Sequence, residues 1–326
     1  MNTDARWMEE ALALGERGRG NTGPNPNVGC VIVRDGAIVG SGWTAEGGRP
    51  HAEAVALGEA GEAAAGATAF VTLEPCCHLS PRGPACADLL VDAGIARVVA
   101  ALRDPDPKVD GGGLARLRDA GIEVTVGIGA EAAERSMAGF LTRQRLGRPF
   151  VTLKLAMSID GKIALSSGES RWITGDEARA HAHGERARAD MILIGRGTWE
   201  ADRPKLDVRL PGLEHLSPRR GLLTRGPPVE GWTRFSSPEE IFTLADVNDL
   251  LIEGGSAAAS AFLLADLVDR MLIYRAPVLI GEGKPSVGDV GLAALADAHG
   301  RWRLAETRPL GIDRLEVYER LRSAEA

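Results

Sequence analysis

The stretch that most constrains the fold is "VGCVIVRDGAIVGSGW", residues 28–43, taken with the hundred residues after it. Two apolar runs joined by Asp35-Gly36 are a strong hairpin signal, because both turn positions favour residues that tolerate a left-handed backbone. Beyond the hairpin the apolar period changes. "HAEAVALGEA" (51–60) reads as a helix, "ATAFVTL" (67–73) as a strand, "GPACADLLVDAG" (83–94) as a helix and "IARVVAA" (95–101) as a strand. "GGLARLRDAG" (112–121) and "IEVTVGI" (122–128) repeat the unit, and Trp7, Met8, Ala11, Leu12 and Leu14 place a helix in front of the hairpin. A hairpin followed by helix–strand units implies one sheet covered on both faces, a three-layer α/β/α domain.

The chain has 326 residues, too many for one average domain. A helical stretch near 130–146 reaches "LGRPF", taken as the junction, which divides the chain into 1–146 and 147–326. A second series of strands follows in "FVTLKLAMS" (150–158), "ADMILIG" (189–195), "DLLIEGG" (249–255) and "DRMLIYRAPVLIG" (269–281). The Pro-, Gly- and Arg-rich residues 210–240 read mostly as loop.

Net charge narrows the partners. At −7 the chain lacks the basic face that nucleic-acid binding needs. The longest apolar stretch, "AAASAFLLADLV", is too short to span a bilayer, and the opening residues carry acids and arginines where a signal peptide has an apolar run. Four cysteines, three of them between 76 and 86, do not form a secreted disulfide framework. A soluble cytoplasmic protein is expected, with neither nucleic acid nor membrane as partner.

The cysteine cluster carries the first chemistry. His51-Ala52-Glu53 opens a helix, and a strand further on ends in Glu74-Pro75-Cys76, the H-x-E and P-C pairing of zinc deaminases. A hydrolytic zinc site takes three protein ligands and leaves a position for water, whose pKa the ion lowers. Position 79 is Leu79, so the second thiolate falls to Cys77 or Cys86. Side chains of adjacent cysteines diverge, whereas Cys86 starts a helix after a loop long enough to fold back, so His51, Cys76 and Cys86 are the expected ligands. Glu53 is placed to move protons. A structural zinc would need a fourth ligand, for which His78 is the candidate.

The second half offers "LLIEGGSAAASAF", a strand, two glycines and a helix, where backbone N–H groups could receive a pyrophosphate. No G-x-G-x-x-G follows a first strand, which disfavours a Rossmann domain.

Taken together, "PNPNVGCVIV", "PHAE", "VTLEPCCH", "ARVVAALRDPDP" and "GGGL" closely resemble, in order, the bifunctional deaminase-reductase family of riboflavin biosynthesis, the RibD family. The resemblance implies a cytidine-deaminase-like α/β/α domain followed by a dihydrofolate-reductase-like α/β domain, with zinc and NADPH as cofactors. It implies deamination of 2,5-diamino-6-ribosylamino-4(3H)-pyrimidinone 5′-phosphate, then reduction of the ribosyl to the ribityl chain. Zinc ligands again fall on His51, Cys76 and Cys86 and the catalytic acid on Glu53, while Asn25, His78 and Arg82 hold pyrimidine and phosphate. In the reductase, Lys154 and Asp202 fall nearest the chemistry. Ala156, Trp172, Thr198, Asp202, Gly255 and Ser256 fall on the cofactor side, and Ser170, Arg186, Leu206, Arg209 and Glu253 on the substrate side. A homodimer or larger oligomer is also implied.

Two departures stand out. The chain has one residue more between Cys76 and Cys86 than is common in the family, expected to bulge outward in "HLSPRG", and its 210–249 segment is shorter. Two other functions fit parts of the sequence. One is a deaminase of another base, nucleoside or tRNA with a binding-only second half. The other is a zinc-stabilised interaction protein, for which Glu53 would have no purpose.

Overall fold

A computed structural model describes residues 3–78 and 82–322. The chain divides into two compact units, Met1–Gly147 and Arg148–Ala326.

The first unit contains α1 (Thr3–Arg17), β1 (Gly29–Arg34), β2 (Ala37–Trp43), α2 (Ala52–Ala60), β3 (Thr68–Val71), α3 (Cys86–Asp92), β4 (Arg97–Ala100), α4 (Gly112–Asp119), β5 (Glu123–Val126), α5 (Ala130–Ser136) and α6 (Ala138–Leu146). Its sheet runs β2-β1-β3-β4-β5, antiparallel through the hairpin and β3, then parallel to β5. Register decides the layers. Gly29 lies against α1, where a Cβ would collide with the Ala11 carbonyl. Gly42 lies against α2, where a Cβ would sit 2.6 Å from the Ala52 oxygen. Gly42 pairs with Cys30, the neighbour of Gly29, and successive residues of a strand face opposite ways. The two helices therefore cover opposite faces, as the three-layer reading requires. Met8, Ile32, Phe70, Leu90 and Leu117 are fully buried between the layers.

The second unit contains β6 (Phe150–Met157), β7 (Lys162–Leu165), α7 (Asp176–Ala187), β8 (Met191–Gly195), α8 (Arg196–Asp202), β9 (Arg219–Leu223), β10 (Thr233–Phe235), β11 (Asp249–Glu253), α9 (Ser256–Leu264), β12 (Arg270–Arg275), β13 (Gly283–Pro285), β14 (Trp302–Leu310) and β15 (Asp313–Arg320). Its main sheet runs β10-β9-β8-β11-β6-β12-β15-β14, parallel as far as β12 and antiparallel beyond. β7 and β13 pair separately. The first strand of the unit thus lies between later ones, and the chain leaves β6 in both directions across the sheet. In open α/β sheets ligands gather at the strand carboxyl ends beside such a reversal.

Two sequence expectations need correction. Residues 210–240 are mostly loop as expected, but the expectation missed β9 and β10, which extend the sheet there and bury Leu222 and Phe235. The run 269–281 is not one strand, since β12 ends at Arg275 and Pro277, which has no N–H for the ladder, comes soon after. Among the described residues no helix is long and apolar enough to cross a membrane.

Candidate active sites

In the first unit, α2 and the carboxyl end of β3 deliver the chemistry. His51 is the N-cap of α2, Glu53 lies in its first turn, and Cys86 is the first residue of α3. The His51 Nδ1 atom is 3.6 Å from the Cys76 sulfur and 3.3 Å from that of Cys86, and the three ligand atoms lie within 4.8 Å of one another. Tetrahedral zinc with Zn–N about 2.0–2.1 Å and Zn–S about 2.3 Å has N–S edges of about 3.5 Å, so this donor set fits the ion. Among the described residues no further His, Cys, Asp or Glu joins the group, so His78 is not a fourth member. The Cys77 sulfur instead faces the backbone carbonyls of Lys108 and Val109.

The Cys76 thiol is pulled well down by its hydrogen bond from Cys86 and then by His51, while the Cys86 thiol, the donor of that pair and buried, is pushed up. The buried Glu53 carboxyl is raised, first by burial, with His51 opposing. His51, Glu53 and Cys76 border a cleft of about 250 Å³ that also takes in Asn25, His78 and Arg82. Asn25 Nδ2 donates to the Gly48 carbonyl at 2.7 Å, and Arg82 Nη2 to the Gly47 carbonyl at 2.8 Å. His78 Nδ1 is buried and has no hydrogen-bond partner among the described residues. The outward bulge expected in "HLSPRG" falls largely on residues 79–81, which lie outside the described residues.

Glu74 was not singled out by the sequence pattern. Its buried carboxylate accepts backbone N–H groups of Asp104, Gly111, Gly113 and Leu114, and so fastens the end of β3 to the start of α4. The one sequence signal was an acid directly ahead of Pro75-Cys76. Asp104, also in the cleft wall, is raised to about 6 chiefly by burial.

In the second unit, Lys154 of β6 is in register with Glu253, the last residue of β11, and its Nζ lies 3.8 Å from the Glu253 carboxylate. Arg186 makes a two-point contact with the same carboxylate, at 2.7 and 2.9 Å, and donates to the Asp207 carbonyl. Burial would raise the Glu253 pKa, but Lys154 and Arg186 outweigh it and hold the group at about 2. Arg209 lies against His183, its backbone N–H 3.2 Å from the ring Nδ1. Neither the sequence pattern nor the resemblance singled out His183.

Beyond β11, Gly254 and Gly255 have φ of 72° and 59°, and a Cβ on Gly255 would sit 2.6 Å from Thr198 Oγ1. Only glycine fits that turn, and among the described residues no side chain caps the start of α9 at Ser256. Bare N–H groups at a helix N-terminus suit a cofactor pyrophosphate. Asp202 ends α8 and bonds Arg171, Trp172 is exposed with Arg179 over its ring, and Ala156 lies on β6 two residues beyond Lys154. Leu206 is buried, and Ser170 precedes Arg171 in the segment after β7.

An imidazole and two sulfurs beside a buried acid, at a strand end in a three-layer domain, define a zinc-dependent hydrolytic deaminase. Residues 1–102 match the cytidine and deoxycytidylate deaminase zinc-binding region, and residues 149–229 and 238–315 match the RibD C-terminal domain. The riboflavin biosynthesis protein RibD of Escherichia coli K12 is 41% identical over 95% of this chain and 97% of its own length. That of Mycobacterium tuberculosis H37Rv is 41% identical over 97% and 98%. Among solved structures, RibD of Acinetobacter baumannii superposes with a TM-score of 0.89 at 37% identity, covering 98% of this chain and 99% of that one. A Thermotoga maritima diaminohydroxyphosphoribosylaminopyrimidine deaminase/5-amino-6-(5-phosphoribosylamino)uracil reductase does so with 0.89 at 30% identity, with the same coverage.

The chain belongs to the RibD family of bifunctional riboflavin-biosynthesis enzymes. It joins a zinc-binding deaminase domain to a dihydrofolate-reductase-like domain of an NADPH-binding family.

Proposed function

We propose that residues 1–146 deaminate a diaminohydroxyphosphoribosylaminopyrimidine and that residues 147–326 reduce the resulting 5-amino-6-(5-phosphoribosylamino)uracil to its ribityl counterpart. The observation that carries the reading is the meeting of His51, Cys76 and Cys86 beside the buried Glu53. In this reading His51, Cys76 and Cys86 hold zinc, which when bound supplies the Lewis acidity that lets a water lose its proton near neutral pH. Glu53 takes that proton and returns it to the departing amino group, so that ammonia leaves. Burial raises its pKa above that of an ordinary carboxyl, which helps it hold the proton until the amino group takes it. Asn25, His78 and Arg82 bind the pyrimidine and its phosphate along the cleft.

In the second unit NADPH supplies the hydride, and the protein contributes position and charge. Gly255 and Ser256 receive the pyrophosphate at the start of α9, with Ala156, Trp172, Thr198 and Asp202 on the cofactor side. Lys154, fixed beside Glu253, orients the ribosyl group at its anomeric carbon, while Ser170, Arg186, Leu206 and Arg209 hold the remainder of the substrate. A cytoplasmic location belongs to the same reading, since all four cysteines are free and the zinc set needs thiolates that an oxidising compartment would pair. So does a homo-oligomer, supported by the exposed Ile312 beside β14, the outermost strand of the sheet.

The test gives purified protein the diaminopyrimidine phosphate with and without NADPH. Ammonia release without NADPH, and NADPH oxidation only once deaminated product is present, support both steps and their order. Failure to release ammonia overturns the first assignment, and NADPH left untouched by deaminated product overturns the second.

A further inference from the structure

We infer that Arg49 is a specificity-determining residue of the deaminase site, whose guanidinium recognises the phosphate monoester of the substrate. The inference rests on the reading of this cleft as a deaminase site for a phosphorylated pyrimidine. Arg49 borders the same cleft as His51 and Glu53 and is half-buried, yet among the described residues it has no hydrogen bond or ion pair. Partial burial costs a guanidinium some of its hydration, which a carboxylate ordinarily offsets. Acids are not scarce, since the chain has 45 Asp and Glu against 38 Lys and Arg.

The acids of this cleft bond elsewhere. Glu74 accepts four backbone N–H groups, Asp104 accepts that of Asp106, and Asp106 accepts that of Lys108. Glu53 lies buried beside the Cys86 thiol. A cation that shares a cleft with these acids but is bonded to none is left for an anion from outside.

Its surroundings fix its place. Arg82 holds the Gly47 carbonyl, and a Cβ on Gly83 would sit 3.2 Å from Arg49 Nη1, so the 82–83 backbone lies against the guanidinium. The buried Nδ1 of His78, which has no partner among the described residues, is a second unsatisfied polar group of the same cleft. The reacting ring must lie at His51 and Glu53, and a neutral imidazole or amide suffices to bond it. The phosphate is the substrate's fully charged group, and the planar guanidinium fork matches its oxygens in pairs.

The experiment measures ammonia release by the full-length, zinc-loaded protein from the phosphorylated substrate and from its dephosphorylated counterpart. Wild type, Arg49→Ala and Arg49→Lys are compared, with zinc content and NADPH-dependent reduction by the same preparations reporting integrity. For Arg49→Ala, kcat/KM on the phosphorylated substrate is expected to fall about 10- to 100-fold, through KM, the range for a charged hydrogen-bond pair. The dephosphorylated substrate should change by less than about 3-fold, so discrimination collapses, and Arg49→Lys should fall between. A wild-type KM in Arg49→Ala, or an equal loss on both substrates, overturns the role of Arg49. If Arg49→Ala loses zinc, the zinc-replete Arg49→Lys decides: a raised KM for the phosphorylated substrate alone supports the role, and a wild-type KM refutes it. Wild-type protein that releases no ammonia from either substrate overturns instead the deaminase reading.

Discussion

Replacing Glu74 with glutamine should loosen the first unit at a place that can be named in advance. Oε2 accepts from Asp104 and Gly111 at 3.2 and 3.0 Å, and Oε1 from Gly113 and Leu114 at 2.9 and 3.2 Å. Glutamine keeps one oxygen and turns the other into an NH₂ that meets two N–H donors head-on. Two charge-assisted bonds are lost, each worth about 1.5–3 kcal/mol, for a cost of about 3–6 kcal/mol. Domains are stable by only about 5–15 kcal/mol, and for one of this size 1 kcal/mol shifts the midpoint by about 2–4 °C. The deaminase activity of Glu74→Gln should therefore be lost at a temperature at least about 6 °C lower, with the NADPH-dependent activity of the same preparation little changed. Amide hydrogen exchange gives the local readout, with protection falling at Asp104, Gly111, Gly113 and Leu114. Unchanged protection at those four amides, or a midpoint shift below about 2 °C, would refute the assignment of Glu74 as the fastener of this loop.

Two further outcomes concern the buried acids. Glu53→Gln should cut ammonia release by at least about 100-fold while zinc, measured by elemental analysis, stays bound, and zinc lost with activity retained would contradict the role given to this carboxyl. Glu253 is held at about 2 against an ordinary 4.5, so its stabilisation is present above pH 4.5 and is lost as pH falls through 2. The difference is worth about 3 kcal/mol, so unfolding of the second unit should depend more steeply on pH across that window in wild type than in Glu253→Gln, and equal slopes would count against the Lys154–Arg186 clamp.

The hairpin and the helix–strand units were legible because their apolar periods are local and their turns carry glycine. β9 was not. "RRGLL" begins with two arginines and is bounded by Pro and Gly, and its strand character comes from pairing with β8, a neighbour that sequence does not reveal. β14 escaped for a related reason. It is an edge strand exposed along most of its length, so it shows no alternation of buried and solvent-facing residues. The grouping of His51, Cys76 and Cys86 was readable because metal chemistry restricts both residue type and spacing. Arg49 and Glu74 were not, since Gly-Arg-Pro reads as a solvated loop, and the four N–H groups on Glu74 come from residues 30 to 40 positions further on. What makes either residue informative is the presence or absence of a partner, which exists only after folding.

The buried carboxyls of the two halves are tuned in opposite directions despite the same burial. Burial raises the Glu53 pKa first, an ionised Cys76 sulfur adds to that, and the His51 imidazole opposes it. Glu253 is buried as deeply, but a guanidinium makes two bonds to it and an ammonium lies 3.8 Å away, and the balance lowers its pKa. In the proposed reaction Glu53 gains from the first environment, because a raised pKa helps the carboxyl hold the proton it is to return. A group that must hold a lysine in place gains from the second, because a carboxylate that never takes up a proton keeps its charge throughout the reaction. The surroundings thus suit the two acids to the different roles proposed for them, proton carrier and electrostatic anchor, a distinction that residue type alone does not make.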